Sequence, residues 1–479
     1  MPETASRSRV TGGGSTLDPR AATLACERRI AHLAPDSGGT RPALHARITA
    51  RFATMRFVIA TSHFAGLGFA LRLIDEGHEV VLAYRGVEDR RTAGCYDLVG
   101  NGLVTKIALH EVMHDRHRYR NAYWIWDENH SVDENELLRR EGFPVLGGGR
   151  YADTMEHDRA VCLAFVAEYG LTPPPSTSFE DPAAAIRFLG EHQDTAYVYK
   201  PDRGENYETW LPESETPEDA NLELRQHLRS IRNRSPFVLQ ELKEGIETNV
   251  EVWFVNGQPR FAFMAIESKR KLAGDLGDLI GCAFDFAFVI PLESRAVCDS
   301  IGRLFPAYAE MRYTGFGDAN FIAARDGIWF FEKCERFGYN AHPNLLWNLN
   351  RDPLGDTLAS LVDGSFTPNF SPGFGATCTM YMDHRVPGKV VQFPETIARD
   401  LYFYDVYKQD DLLLTAGYYD DVLIANAFGY TIPTAWEAVL AKAHAVTFPG
   451  RSYRIDGGGT DYPSSPLRRY EALQAMGYL

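Results

Sequence analysis

The sequence has no Cys-x-x-Cys pair, no apolar run long enough to span a bilayer and no excess of positive charge. Its seven cysteines (Cys26, Cys95, Cys162, Cys282, Cys298, Cys334 and Cys378) are odd in number and scattered. They indicate neither a disulfide framework nor a zinc site, and a reducing cytoplasm fits best. Without a stretch of about 20 apolar residues, no transmembrane helix and no membrane partner are expected. The net charge of −15 argues against nucleic-acid binding, but a phosphorylated ligand needs only a local basic site. Lysine is missing from residues 1–54, which hold eight arginines (Arg7, Arg9, Arg20, Arg28, Arg29, Arg41, Arg47, Arg51) and four acids (Glu3, Asp18, Glu27, Asp36). That stretch also lacks the apolar centre of a secretory signal. An Arg-rich, acid-poor leader could be an organelle transit peptide. A disordered extension is the stronger reading, because Met55 opens the first strand pattern directly.

What remains is ordinary for a soluble globular protein: 45% hydrophobic and 24% charged residues over 479 positions, enough for about three domains. Arg56 to Thr61 is a short apolar run. Gly66-Leu67-Gly68, a helical pattern to Glu76 and a second apolar run over Glu79–Tyr84 follow it. Strand, loop, helix, strand is a βαβ unit with parallel strands. It continues through Tyr123–Asp127 and closes at Val145–Gly149. Ligands of such sheets sit at the carboxyl ends of strands, here Thr61 to Gly68 and Asp127-Glu128. The third glycine of G-x-G-x-x-G is replaced by Leu71, so a dinucleotide cofactor is not expected.

Further on, Ala196 to Asp202 reads as a strand carrying Lys200, and Phe237 to Leu242 as an apolar strand turning polar. Hairpin strands over Val250–Val255 and Arg260–Ile266 lead to Ser268-Lys269-Arg270-Lys271 and Gly274 to Asp278. This glycine-rich, charge-switching connector is expected to be a mobile phosphate-handling region, or else a solvated loop. Asp318–Ile322 and Phe330–Gly338 flank the turn Arg325-Asp326-Gly327 and read as a hairpin. It is expected to set Asp318 beside Glu332, with Arg336 one step beyond. Two acids and one guanidinium suit a Mg²⁺ bridging nucleotide phosphates. They read equally well as a surface ion pair.

The order of these pieces resembles an ATP-grasp ligase, and within that superfamily the phosphoribosylamine–glycine ligase (GAR synthetase) family. Glu267-Ser268-Lys269-Arg270 with Gly274-Asp275-Leu276-Gly277 resembles that family's D-H-K-R…G-D-x-G; Glu332–Gly338 resembles E-F-N-x-R-F-G; Phe448–Gly457 resembles its closing F-x-G-x-x-Y-R-x-D-I-G. The likeness implies an α/β and α+β multidomain ATP-grasp fold: an N-terminal open parallel α/β domain over 55–150, an ATP-grasp domain over 151–365 and a small mixed C-terminal domain over 366–479. It implies that Arg159 and Lys200 contact ATP phosphates, that Gln240, Glu241 and Leu242 form the adenine hinge, and that Glu247 holds the ribose. Asp318 and Glu332 would hold Mg²⁺ (or Mn²⁺), while Arg336 and Lys269 face the transferring phosphate.

The implied reaction is ATP-dependent C–N ligation through an acyl phosphate, joining glycine to phosphoribosylamine in purine biosynthesis. The partners would be small molecules, an amino acid and a phosphorylated amine, and the chain a monomer or small homo-oligomer. The sequence departs from the family at four places: Cys334 for the asparagine of E-F-N, Lys200 to Tyr207 for the glycine-rich phosphate flap, Asp278 to Ala283 for P-N-T-G-G-M-G, and Ser62 to Gly66 for G-G-R-E-H. These favour two alternatives, a ligase for a different amino acid or amine and a nucleotide-binding scaffold without turnover.

Overall fold

The computed structural model describes residues 53–86, 93–201, 209–214, 216–231, 236–459, 462 and 464–479. The expected extension up to position 52 and the flap over 202–207 lie outside the described residues.

Five parallel strands form the first sheet: β1 (Arg56–Thr61), β2 (Glu79–Tyr84), β3 (Thr105–Ala108), β4 (Tyr123–Trp126) and β5 (Val145–Leu146), in the order β3-β2-β1-β4-β5. Their near-continuous apolar runs are what burial on both faces requires. Phe57 and Ile59 enter one core and Val58 and Ala60 the other. The strand order reverses between β1 and its neighbours β2 and β4. The loop after β1 and the loop after β4 therefore meet at the carboxyl edge.

A three-stranded antiparallel sheet follows, β6 (Ser176–Phe179), β7 (Tyr197–Pro201) and β8 (Phe237–Glu241), in the order β6-β8-β7. Two helices cover it, Pro182–Glu191 and Pro217–Ser230. Both begin as chain chemistry demands, with Asp181 and Thr216 as N-caps and proline in the first turn. Leu189, Leu224, Leu228, Phe237 and Leu239 make a small core of their own.

Among the described residues the largest sheet has nine strands: β9 (Ile246–Val255), β10 (Gln258–Leu272), β11 (Leu276–Val289), β12 (Gly315–Ala324), β13 (Gly327–Glu332), β14 (Phe374–Met382), β15 (Leu401–Phe403), β18 (Asp421–Gly429) and β19 (Arg451–Ser452). Their order is β13-β12-β9-β10-β11-β14-β18-β15, with β19 against β14. The pair β16 (Val406–Gln409) and β17 (Leu412–Thr415) stands apart. Alternate residues of β9 serve opposite cores: Val250, Val252 and Phe254 on one face, Trp253 and Val255 on the other.

The connector expected to be a mobile loop is mostly strand. Ser268–Leu272 ends β10 and Leu276 begins β11, leaving a turn at Ala273–Asp275 with Gly274 and Asp275 at positive φ. The tip is tied to the C-terminal segment. The buried Arg454 guanidinium bonds Asp275 at 2.6 Å and Asp456 at 2.6 Å, and the Gly274 N–H donates to Asp456 at 2.7 Å. Asp275, a charged residue that local sequence reads as a sign of mobility, is held here by an arginine 179 residues away.

Candidate active site

The cleft between the three-stranded sheet and the β9–β10–β13 part of the large sheet gathers the expected charges. Lys200 sits one residue before the end of β7, its ammonium 5.0 Å from the Phe331 ring centroid. Burial, helped by the nearby Arg159 guanidinium, pulls its pKa down to about 8 against the opposing pull of Glu332 and Glu247. Arg159 opens the helix Arg159–Glu168, whose N-cap Asp158 accepts from the Val161 N–H at 3.0 Å. Lys269 of β10 donates to Glu247 of β9 at 2.8 Å and lies 3.8 Å from Glu267. Burial opposes charge on Lys269, but Glu247, Glu267 and Glu332 outweigh it and hold its pKa well up. Lys269 in turn holds Glu247 below the usual carboxylate range, with help from Arg469 and Lys200.

Glu332 ends β13. Its side chain makes no hydrogen bond and no ion pair among the described residues, although Lys200 and Lys269 both feel its charge. A partly buried carboxylate with no side-chain partner among the described residues, set among cations, is an unfinished site.

The hairpin register differs from expectation. Phe321 pairs with Phe330, but Asn320 pairs with Glu332, so a bulge at Phe331 takes up one residue. Asn320, not Asp318, therefore stands opposite Glu332. Both Asp318 oxygens are already used. One accepts the Cys334 N–H at 2.5 Å and the other the Asn320 amide at 2.7 Å. Burial pushes the Asp318 carboxyl up to about 8, against the pull of Lys333. Cys334 is likewise a neutral thiol, because burial raises it well above its ordinary value.

The expected adenine hinge is partly occupied. The Leu242 N–H donates to the Ala196 carbonyl at 2.8 Å, and the Glu241 carboxylate holds Lys243 at 2.5 Å. Gln240 is buried, with its Nε2 unpartnered. Arg336 is paired with Glu156 at 2.8 Å and stacked on Tyr339, 4.5 Å from the ring centroid. Glu156 also accepts from the Asn129 amide at 2.9 Å, which carries the polar chain into the carboxyl edge of the parallel sheet. There His63, in the loop after β1, meets Glu128, just past β4, at 2.7 Å.

Sequence reading gave no site role to Asn320, Glu267, Glu156 or Arg469. Arg469 donates to the Ser268 hydroxyl at 3.0 Å from a helix 201 positions away, and no local pattern signals such a contact. Asn320 could have been found by allowing a bulge in the hairpin.

No family model matches the sequence, and no curated protein matches it. The fold is nevertheless a known one, that of the ATP-grasp enzymes. The phosphoribosylamine–glycine ligase of Thermotoga maritima superposes with a TM-score of 0.62 at 18% identity, over 84% of this chain and 100% of that one. A phosphoribosylglycinamide synthetase from Anaerococcus prevotii gives 0.53 at 11% identity, over 82% and 99%. The biotin carboxylase domain of Hydrogenobacter thermophilus 2-oxoglutarate carboxylase, crystallised with MgADP, ADP and bicarbonate, gives 0.57 at 11% identity, over 83% and 91%.

Proposed function

We propose that the chain is an ATP-dependent carboxylate–amine ligase that works through an acyl phosphate. The observation that carries this reading is the Glu332 carboxylate, without a hydrogen bond or ion pair among the described residues and within the electrostatic reach of Lys200 and Lys269. A carboxylate does not acylate an amine unaided, because oxide would have to leave. In the proposed reaction the substrate carboxylate oxygen attacks the γ-phosphorus of ATP. A new P–O bond forms, the bond to the β-phosphate oxygen breaks, and ADP departs. The amine then attacks the acyl carbon, inorganic phosphate leaves with the bonding pair, and the amine loses a proton to give the amide. Such chemistry asks for positioning and charge neutralisation. Arg159, Lys200 and Lys269 would supply the cations, and Glu247, held by Lys269, would meet the ribose. Gln240 offers the donor that Leu242 has already spent.

The donor set fits Mg²⁺, which prefers hard oxygens and usually takes one or two protein carboxylates beside phosphates. Glu332 and the Asn320 carbonyl would hold it, with Asp318 orienting Asn320. The neutral Cys334 thiol is a poor ligand for so hard a cation. Bound there, the metal would neutralise charge on the transferring phosphate.

Glycine and phosphoribosylamine are the substrates favoured by the motifs at Glu267–Gly277 and Phe448–Gly457 and by the T. maritima neighbour. A different amino acid or amine is favoured by His63 and Glu128, which form a polar centre at the edge where the family's G-G-R-E-H would lie. The test is ADP and phosphate release from Mg²⁺-ATP across a panel of amino acids, with and without phosphoribosylamine. Release with glycine only when phosphoribosylamine is present supports the first reading. Release with another pair supports the second, and no release with any acceptor rejects ligase function.

A further inference from the structure

The carboxyl edge of the parallel sheet holds a second cluster, made of residues other than those placed around the phosphates. His63, Glu128 and His130 each present a ligand atom, and these atoms all lie within 4.8 Å of one another. His63 Nδ1 is 2.7 Å from Glu128 Oε2, and His130 Nε2 is 3.6 Å from the same oxygen. The Glu128 side chain is only 2% exposed, while the imidazoles are 46% and 41% exposed. The carboxylate is therefore the floor of the cluster and the rings are its rim. Glu128 Oε1 is buried without a hydrogen-bond partner among the described residues. Its only ion-pair partners among the described residues are the two histidines. A buried carboxylate with neither a full set of hydrogen bonds nor a lysine or arginine is costly unless a cation completes it.

The scaffold beneath is stiff. The Gly66 N–H donates to Asp127 at 2.5 Å, locking the loop after β1 to the end of β4. A side chain at Gly66 would come within 2.9 Å of the same carboxylate. Asn129 Oδ1 and Trp126 Nε1, on either side, are buried and unpartnered as well.

We propose that His63, Glu128 and His130 form a binding site for a divalent first-row transition metal of the zinc class. Two imidazole nitrogens and one carboxylate oxygen suit such borderline ions, whereas Mg²⁺ prefers oxygen alone. Three protein ligands leave a coordination position open, as in sites that hold a substrate rather than brace a fold. The open position would take an oxygen or nitrogen donor of a small substrate, a carboxylate or an amine. His157, with its ring centroid 5.0 Å from that of His130, lies outside the triad. The site is independent of the ATP reading, since none of its ligands belongs to the phosphate cleft.

The test uses full-length protein stripped with a chelator and titrated with Co²⁺ alone, without nucleotide. Visible ligand-field absorption is read first, then displacement by Zn²⁺. One equivalent of Co²⁺ should bind with a visible band. Glu128→Gln and His130→Gln should each weaken it by more than about a hundredfold, since losing even an outer partner of a metal ligand costs about 10–100-fold. His157→Gln should bind as the parent does, and so should Glu332→Gln, which disables only the proposed phosphate cleft. Absence of a one-equivalent band would overturn the proposal. So would a band that survives Glu128→Gln, or one lost equally in His157→Gln. Circular dichroism of each variant shows whether a lost band reflects a lost fold, and an unfolded Glu128→Gln leaves His130→Gln to decide.

Discussion

Two acids three residues apart should behave in opposite ways when truncated. The Glu332 side chain has no hydrogen bond or ion pair among the described residues, so Glu332→Ala breaks no such pair there. Its effect on stability should stay within about 0.5 kcal/mol, as for other substitutions that break no network. Glu335 is the reverse. Its side chain and that of Lys333 are both 0% exposed, and they pair at 2.5 Å. The Tyr308 hydroxyl also bonds Glu335, and Lys333 reaches that hydroxyl and the Asp318 carbonyl at 2.7 Å each. Glu335→Ala leaves a buried ammonium without its counter-charge, which costs about 3–5 kcal/mol. Catalysis should invert the order. Loss of the Glu332 carboxylate should lower turnover by about 10²–10³-fold or more, the usual range for removing one preorganised electrostatic group. Equilibrium urea unfolding and ADP release, measured on both variants, decide the matter. Unchanged ADP release in Glu332→Ala would refute the site. A loss of several kcal/mol in that variant would show that Glu332 is structural.

Further outcomes follow from the same cleft. Cys334→Asn places a hard oxygen donor beside Glu332 and should leave ADP release intact or raise it; complete loss, in a variant that still melts cooperatively, would show that the thiol has a role of its own. Lys200, with its pKa near 8, carries its charge at pH 7 and sheds it above pH 8. ATP affinity should therefore fall between pH 7 and 9 and hold to higher pH in Lys200→Arg, and parallel profiles by calorimetry would contradict this. Asp318, raised to about 8, keeps in the folded state a proton that the unfolded chain loses near pH 4. Its contribution to stability is thus present at acid pH, declines as pH rises towards 8 and is flat above. Asp318→Asn should gain on the parent protein as pH rises from 5 to 9 in urea unfolding, and a constant difference would refute the assignment.

The elements were legible where their signals are local. Apolar runs with short glycine turns give β1, β2 and β9 to within a few residues. The charged centre was legible as a list of residues but not as a set of pairs. Lys269 meets Glu247 across neighbouring strands, and Arg336 meets Glu156 across 180 positions. Strand pairing and domain packing decide such pairs, and composition does not encode them. The connector over Ser268–Asp278 misled for a related reason. Lys and Gly suggest solvent when read alone, but Arg454 and Asp456 arrive from the C-terminal segment to hold the turn.

One bulge redistributes the chemistry of the whole wall. With Phe331 looped out of register, Asn320 faces Glu332 and Asp318 withdraws to cap the Cys334 N–H. Asp318 is then buried and protonated at neutral pH, Cys334 is a neutral thiol and Asn320 is neutral by nature. Of Asp318, Cys334, Asn320 and Glu332, only Glu332 then offers a metal a formal negative charge; it lies near Lys200 and near Lys269, which is already paired with Glu247. A single carboxylate flanked by ammonium groups cannot by itself outbid water for Mg²⁺, a cation that dehydrates reluctantly. The triphosphate would have to bring most of the charge that holds the metal. The same two lysines that repel the bare ion would favour its phosphate complex, so nucleotide and metal would enter the cleft together.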